Sequence, residues 1–151
     1  MNSTNIAEKR IVYRRIRQYK YQLTADYQVQ TGLLRPEAGI ARVADNFIVL
    51  HPDGLMQIKQ GYAWDGPSGP TIDTKNFMRG SLVHDAFYQM IREEQLPPET
   101  RAFADRLLRD HCREDGMSAA RAWYVWKAVA WFGGPSAAVT PPAPLEFAPH
   151  P

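Results

Sequence analysis

Four side chains in this sequence have the types and spacing for acid–base chemistry: His84, Asp85 and Tyr88 in the string VHDAFYQ, and Asp105 further along. On a helix, His84 and Tyr88 lie four apart on one face, whereas Asp85 is turned about 100° from its neighbour toward an adjoining loop. Base and metal ligand can therefore stand side by side. A carboxylate at Asp105 within reach of one ring nitrogen would fix the tautomer of His84 and leave the other nitrogen free to deprotonate water. Upstream, the loop Tyr62-Ala63-Trp64-Asp65-Gly66-Pro67-Ser68-Gly69-Pro70 has the glycines and prolines that turn carbonyl oxygens inward. Hard cations such as calcium take oxygens of that kind together with carboxylates, so Asp85 with Asp65 or Asp73 is a candidate cage.

The elements that must position these groups change period along the chain. From Tyr19 to Gln30, Tyr19, Tyr21, Leu23, Ala25, Tyr27 and Val29 alternate with polar residues, which predicts a half-buried strand, bent near Ala25. Ile40 to Val43 and Phe47 to Leu50 are further strands. His51-Pro52-Asp53-Gly54 predicts a tight reversal into Leu55 to Lys59, because proline and Asp-Gly supply the backbone angles of a hairpin. Beyond the loop, Leu82, Val83, Ala86, Phe87, Met90 and Ile91 recur at helical spacing, with Ser81 capping or entering the helix after Gly80. Leu96-Pro97-Pro98 ends it, and a second helix carries Phe103, Ala104, Leu107, Leu108, His111 and Cys112 inward, Asp105 on the side of Leu108 and Cys112, until Gly116. Ser118 starts a third, Ala119 to Phe132, ended by Gly133-Gly134-Pro135. The expectation is an α+β fold: an N-terminal antiparallel sheet or meander, then three helices, in a single domain over 1–135, with a Pro-rich, extended or disordered tail over 136–151.

Composition sets bounds on function. The chain has 151 residues, enough for one core without disulfide staples. Its 18 basic and 16 acidic residues nearly balance, which gives no footprint for nucleic acid as a partner. The single cysteine, Cys112, excludes an internal disulfide, and next to His111 it lacks the spacing of a zinc site. The first residues show no apolar run of signal-peptide length, and no segment is apolar enough to span a bilayer, so neither a cleaved leader nor a spanning helix is expected.

Two resemblances follow from these strings. Gly-rich loop, His84-Asp85-x-x-Tyr88 on a helix and Asp105 on the next resemble the core of the phospholipase A2 superfamily, particularly its small prokaryotic branch. That likeness implies His84 as general base, Asp105 and Tyr88 as its supports, calcium as cofactor, and Asp85 as the calcium ligand. The loop positions corresponding to the calcium loop run from Trp64 to Gly69, which adds Trp64, Gly66, Ser68 and Gly69 to Asp65. The cysteines that flank the His-Asp pair in that superfamily are replaced here by Leu82, Val83 and Phe87. Separately, YAWDGPSGPTIDTKNFMRGSLVHDAFYQ and EDGMSAARAWYVWKAV resemble a family of phage and prophage proteins, domain of unknown function 1353, over about residues 40 to 135.

Other readings compete with the chemical one. The His-Asp pair can form a buried structural network, which would suit a non-enzymatic virion, assembly or host-interaction protein whose partners are other phage proteins. Asp65, Ser68 and Asp73 can simply make side-chain turns around the prolines. Ser68 is no nucleophile elbow, because Pro70 stands where the second glycine of that motif belongs. In the third helix, Trp123, Tyr124, Trp126, Trp131 and Phe132 beside Arg121 and Lys127 fit either a phospholipid or membrane surface or, the reading favoured by their distribution, burial against the sheet. A solvent-open cavity at His84 favours the enzyme, a sealed one the structural network.

Overall fold

The computed structural model describes residues 10–15, 21–43, 46–66 and 74–139. Among these, short antiparallel strands form two sheets: β1 (Tyr13–Arg15), β2 (Tyr21–Leu23) and β7 (Ala63–Trp64) in the order β1-β2-β7, and β3 (Tyr27–Gln30), β4 (Ala41–Val43), β5 (Ile48–Leu50) and β6 (Leu55–Ile58) in the order β3-β6-β5-β4. The helices α1 (Lys75–Arg92), α2 (Thr100–Glu114) and α3 (Ala119–Phe132) follow, with a terminal turn α4 (Gly134–Ala137). The fold is α+β.

The expected strand from Tyr19 to Gln30 is two strands in different sheets; Tyr19 and Lys20 lie outside the described residues. Alternation survives the break, since Tyr21, Leu23, Tyr27 and Val29 are all buried. The chain turns at Thr24–Asp26, where the Asp26 carboxylate accepts from the Gln60 backbone N–H at 2.8 Å and ties the bend to the turn between β6 and β7. The hairpin forms where proline and Asp-Gly demanded it. Gly54 has φ +91°, Asp53 accepts from Leu55 N–H at 3.1 Å, and Leu50 pairs with Met56 across the ladder.

One core cluster joins the inner faces of both sheets to Leu82, Val83, Ala86, Phe87, Met90 and Ile91 of α1. These are the residues of the helical stripe, packed on the pleated surface the strands present. A second, smaller cluster of Phe77, Leu108, Cys112, Met117, Ala122 and Val125 joins the three helices on the far side.

Helix α1 starts at Lys75, earlier than the Gly80-Ser81 boundary expected from the sequence. Gly80 is not a break but the point of closest approach: a Cβ there would lie 3.0 Å from Leu108 Cδ1 and 3.3 Å from both Cys112 Sγ and the Leu108 carbonyl. Ser81 therefore sits inside the helix, its hydroxyl donating to the Met78 carbonyl at 2.9 Å. Contacts between α1 and α2 run in opposite directions along the two helices: Arg79 with Glu114 and Asp115, His84 with Asp105, Tyr88 with Arg101. The pair is antiparallel.

The aromatics of α3 overturn the core expectation. Ala122 and Val125 are its buried residues and Val129 packs beside them, whereas Trp123, Tyr124, Trp131 and Phe132 are exposed. The second cluster needs only this narrow stripe of small side chains, so α3 packs through it on the other helices. Turn α4 then brings Ala137 back to the main core, and Arg92 donates to the Ser136 carbonyl at 2.7 Å. Of the tail expected over 136–151, Ser136 and Ala137 thus belong to a packed helical turn, and residues from 140 onward lie outside the described residues.

Candidate functional site

Helical spacing and the antiparallel pairing together bring His84, Tyr88 and Asp105 to one point between α1 and α2. His84 Nε2 is 2.8 Å from Asp105 Oδ1, and the Tyr88 hydroxyl donates to the same oxygen at 2.6 Å. The two rings lie with centroids 4.1 Å apart. All three side chains are buried, and His84 retains 7 % of its surface.

Asp105 accepting at Nε2 implies that this nitrogen carries the proton and that Nδ1 presents its lone pair on the opposite edge of the ring. There, Asp85 Oδ1 lies 3.7 Å away, beyond a direct hydrogen bond but close enough for charge to act on charge. Burial opposes the imidazolium, while the Asp105 hydrogen bond and the charges of Asp85 and Asp105 favour it; the carboxylates prevail, and the His84 pKa is raised. The pKa of Asp85 is also raised, chiefly by desolvation, with His84 and Arg92 pulling it down and Asp65 pushing it up. Its side chain keeps 30 % of its surface, so Asp85 is the member of the cluster that meets the outside. Burial and the Asp105 contact likewise raise the Tyr88 phenol.

Sequence reasoning missed Arg101. Its Nε donates to the Tyr88 hydroxyl at 3.1 Å and lies 3.9 Å from Asp105 Oδ2, while Nη2 donates to the carbonyls of Val129 and Ala130 at 2.9 and 2.7 Å. One guanidinium thus closes the cluster and satisfies the C-terminal carbonyls of α3. Its position four residues before Asp105 on the same helix was a signal for an ion pair, though not for the reach to α3. Gly133 was also read only as a helix end. A Cβ at that position would meet Tyr88 Oη at 2.7 Å, so the helix end doubles as a wall of the site.

The loop is held against α1 by Trp64, whose indole N–H donates to Ser81 Oγ at 3.2 Å. Gly66, at φ +73°, lies where a Cβ would come within 2.7 Å of the Tyr21 ring. Glycine is required there twice over, by the backbone angle and by the ring. Asp65 is near enough for its charge to oppose ionisation of Asp85, a repulsion that a hard cation between the two would relieve. In ligand chemistry the carboxylates of Asp85 and Asp65 suit such a cation, but the described residues bring no group of three His, Cys, Asp or Glu side chains together. Ser68, Gly69 and Asp73 lie outside the described residues.

Fold and site together define an α+β protein whose antiparallel helix pair encloses a carboxylate-anchored histidine, with a glycine-bearing loop alongside. The family model described as "Protein of unknown function (DUF1353)" matches residues 41–129, and the chain belongs to that family. The match spans β4 to β7, α1, α2 and most of α3, so His84, Asp85, Tyr88, Arg101 and Asp105 all fall inside it. Neither the curated proteins nor the solved structures gave a match.

Proposed function

We propose that this chain is a phage- or prophage-encoded hydrolase of carboxylic esters, of phospholipase A2-like type, with His84 as its general base. The observation that carries the reading is the shared acceptor: Asp105 Oδ1 holds both His84 Nε2 and the Tyr88 hydroxyl. The phage or prophage origin rests on the likeness of the strings around His84 and Trp123 to such proteins.

In this reading Asp105 fixes the tautomer, Tyr88 and Arg101 fix Asp105, and Nδ1 of His84 takes a proton from water as the oxygen attacks the ester carbonyl. Collapse of the tetrahedral species breaks the bond to the alcohol oxygen, which takes the proton back from the imidazolium, so ester and water give acid and alcohol. Calcium, held by Asp85 with Asp65 and the carbonyls of Trp64 and Gly66, would polarise the carbonyl. Because the carboxylates hold the His84 proton to a higher pH than an ordinary histidine does, turnover should rise with pH until His84 deprotonates.

The test is hydrolysis of mixed-micelle phospholipid and of a soluble ester, with calcium or chelator, by the native chain and a His84→Ala variant. A general base contributes on the order of a hundredfold or more, so the variant should lose at least that factor while keeping its circular dichroism. The burial of His84 favours a second reading, in which the cluster is a structural network of a non-enzymatic phage protein that meets other phage proteins. Absence of activity in both proteins, with a variant that melts several degrees lower, would select that reading.

A further inference from the structure

We propose that the outer face of α3 is a docking surface for an anionic lipid bilayer interface. Trp123, Lys127 and Trp131 follow one another at four-residue spacing, and Tyr124 lies beside them on the same side, opposite the buried Ala122 and Val125. Trp123 is 54 % exposed, Tyr124 49 %, Trp131 70 % and Phe132 77 %. A helix of a water-facing domain ordinarily turns charged residues outward at these positions. Here the outward row is aromatic, with one lysine inside it.

Charge selects the occupant. Helix α3 contains Arg121 and Lys127 and no acidic residue. Lys127 Nζ lies 4.2 Å from the centroid of the Trp126 ring and Arg109 Cζ lies 4.7 Å from it, so cations are held among the rings. Of the acids of the neighbouring α2, Glu114 is engaged by Arg79 and Asp105 by His84, and Asp110 pairs with Arg109 beside the face, which leaves Lys127 as the cation within the aromatic row. A second copy of this face would set lysine against lysine, whereas anionic headgroups complement it, and tryptophan and tyrosine partition into the boundary between headgroups and acyl chains. At 14 residues the helix lies along such an interface rather than across it. Arg101 fastens its C-terminal carbonyls to Tyr88, so the aromatic end is fixed relative to the His84 cluster.

The surface is tested without turnover, and so separately from the hydrolase reading. The full chain is floated, in chelator, with vesicles of phosphatidylcholine alone and of phosphatidylcholine with phosphatidylglycerol at roughly three to one, and tryptophan emission is recorded. Binding to the anionic vesicles with a blue shift is expected, weakened roughly tenfold by Trp131→Ser and more by the pair Trp123→Ser and Trp131→Ser. Lys127→Glu should remove the preference for anionic vesicles. Leu34→Ser, at an exposed position on a connecting loop far along the chain, is the control and should bind as the native protein does. Absence of binding to either vesicle, binding unaltered by the α3 variants, or a dimer in sedimentation that Trp131→Ser dissociates would each overturn the proposal, the last by assigning the face to a second copy.

Discussion

Replacing Asp105 by Asn tests the centre of the site with almost no change of shape. The buried carboxylate accepts from His84 Nε2 and Tyr88 Oη through one oxygen and faces Arg101 through the other. An amide oxygen in the Oδ1 position still accepts from Tyr88 and His84, but without a full charge, and the NH2 group then faces Arg101 and cannot accept from it. At least one buried donor loses its charged acceptor, which costs about 1–3 kcal/mol, and removing one partner of a buried charge pair costs about 3–5 kcal/mol. Because Arg101 is partly solvated, a loss of about 3 kcal/mol is expected, or roughly 6–12 °C in Tm for a chain of this size. The loss also has a pH signature. A His84 pKa raised above 6.5 contributes stability that is full below 6.5 and disappears as pH rises through the folded value. The Asn variant lowers that folded value, so the gap between native and variant should be widest on the acid side of the window and narrow as pH rises. Urea unfolding across this range, with an NMR titration of His84, measures both quantities. An unchanged His84 titration, or a gap that widens with pH, would refute the placement of the charge that holds this imidazole.

Other expectations follow from the packing and from the second buried histidine. Gly80→Ala gains up to about 1 kcal/mol of helix propensity but presses on the Leu108 carbonyl, which cannot rotate away, so thermal unfolding should show a net loss of about 1 kcal/mol. Gly66→Ala, strained at φ +73° and set against Tyr21, should cost about 2 kcal/mol in the same assay. His111 is buried with Nδ1 unpaired among the described residues, and desolvation, helped by the Arg79 charge, pushes its pKa down to about 4. The unfolded chain therefore binds the extra proton between about 6.5 and 4, and as pH falls through that window the protein should lose about 3 kcal/mol of stability at this position, a loss that His111→Leu abolishes in urea melts at the two ends.

The part of the site that was legible in sequence is the part fixed by local geometry. Helical period alone places His84 and Tyr88 on one face, and the Leu96-Pro97-Pro98 break forces α2 to fold back, which carries Asp105 to His84. The hairpin at Asp53-Gly54 was legible for the same reason, since the backbone angles are written in the residue types. What escaped depends on how elements return in space. Gly80 and Gly133 carry the composition of helix boundaries, yet the first is the contact of α1 with α2 and the second the wall over Tyr88. Arg101 could be paired with Asp105 from its spacing, but its bonds to Val129 and Ala130 exist only because α3 comes back across α2. The aromatics of α3 misled for a related reason. Periodicity reports that a helix has an apolar surface, not how much of it a neighbour covers, and a stripe as narrow as Ala122, Val125 and Val129 satisfies the small second cluster. A helix with rings left over after its core contacts are made has a second surface to satisfy, so the sequence pattern that predicted burial is better explained by two environments on opposite sides of α3.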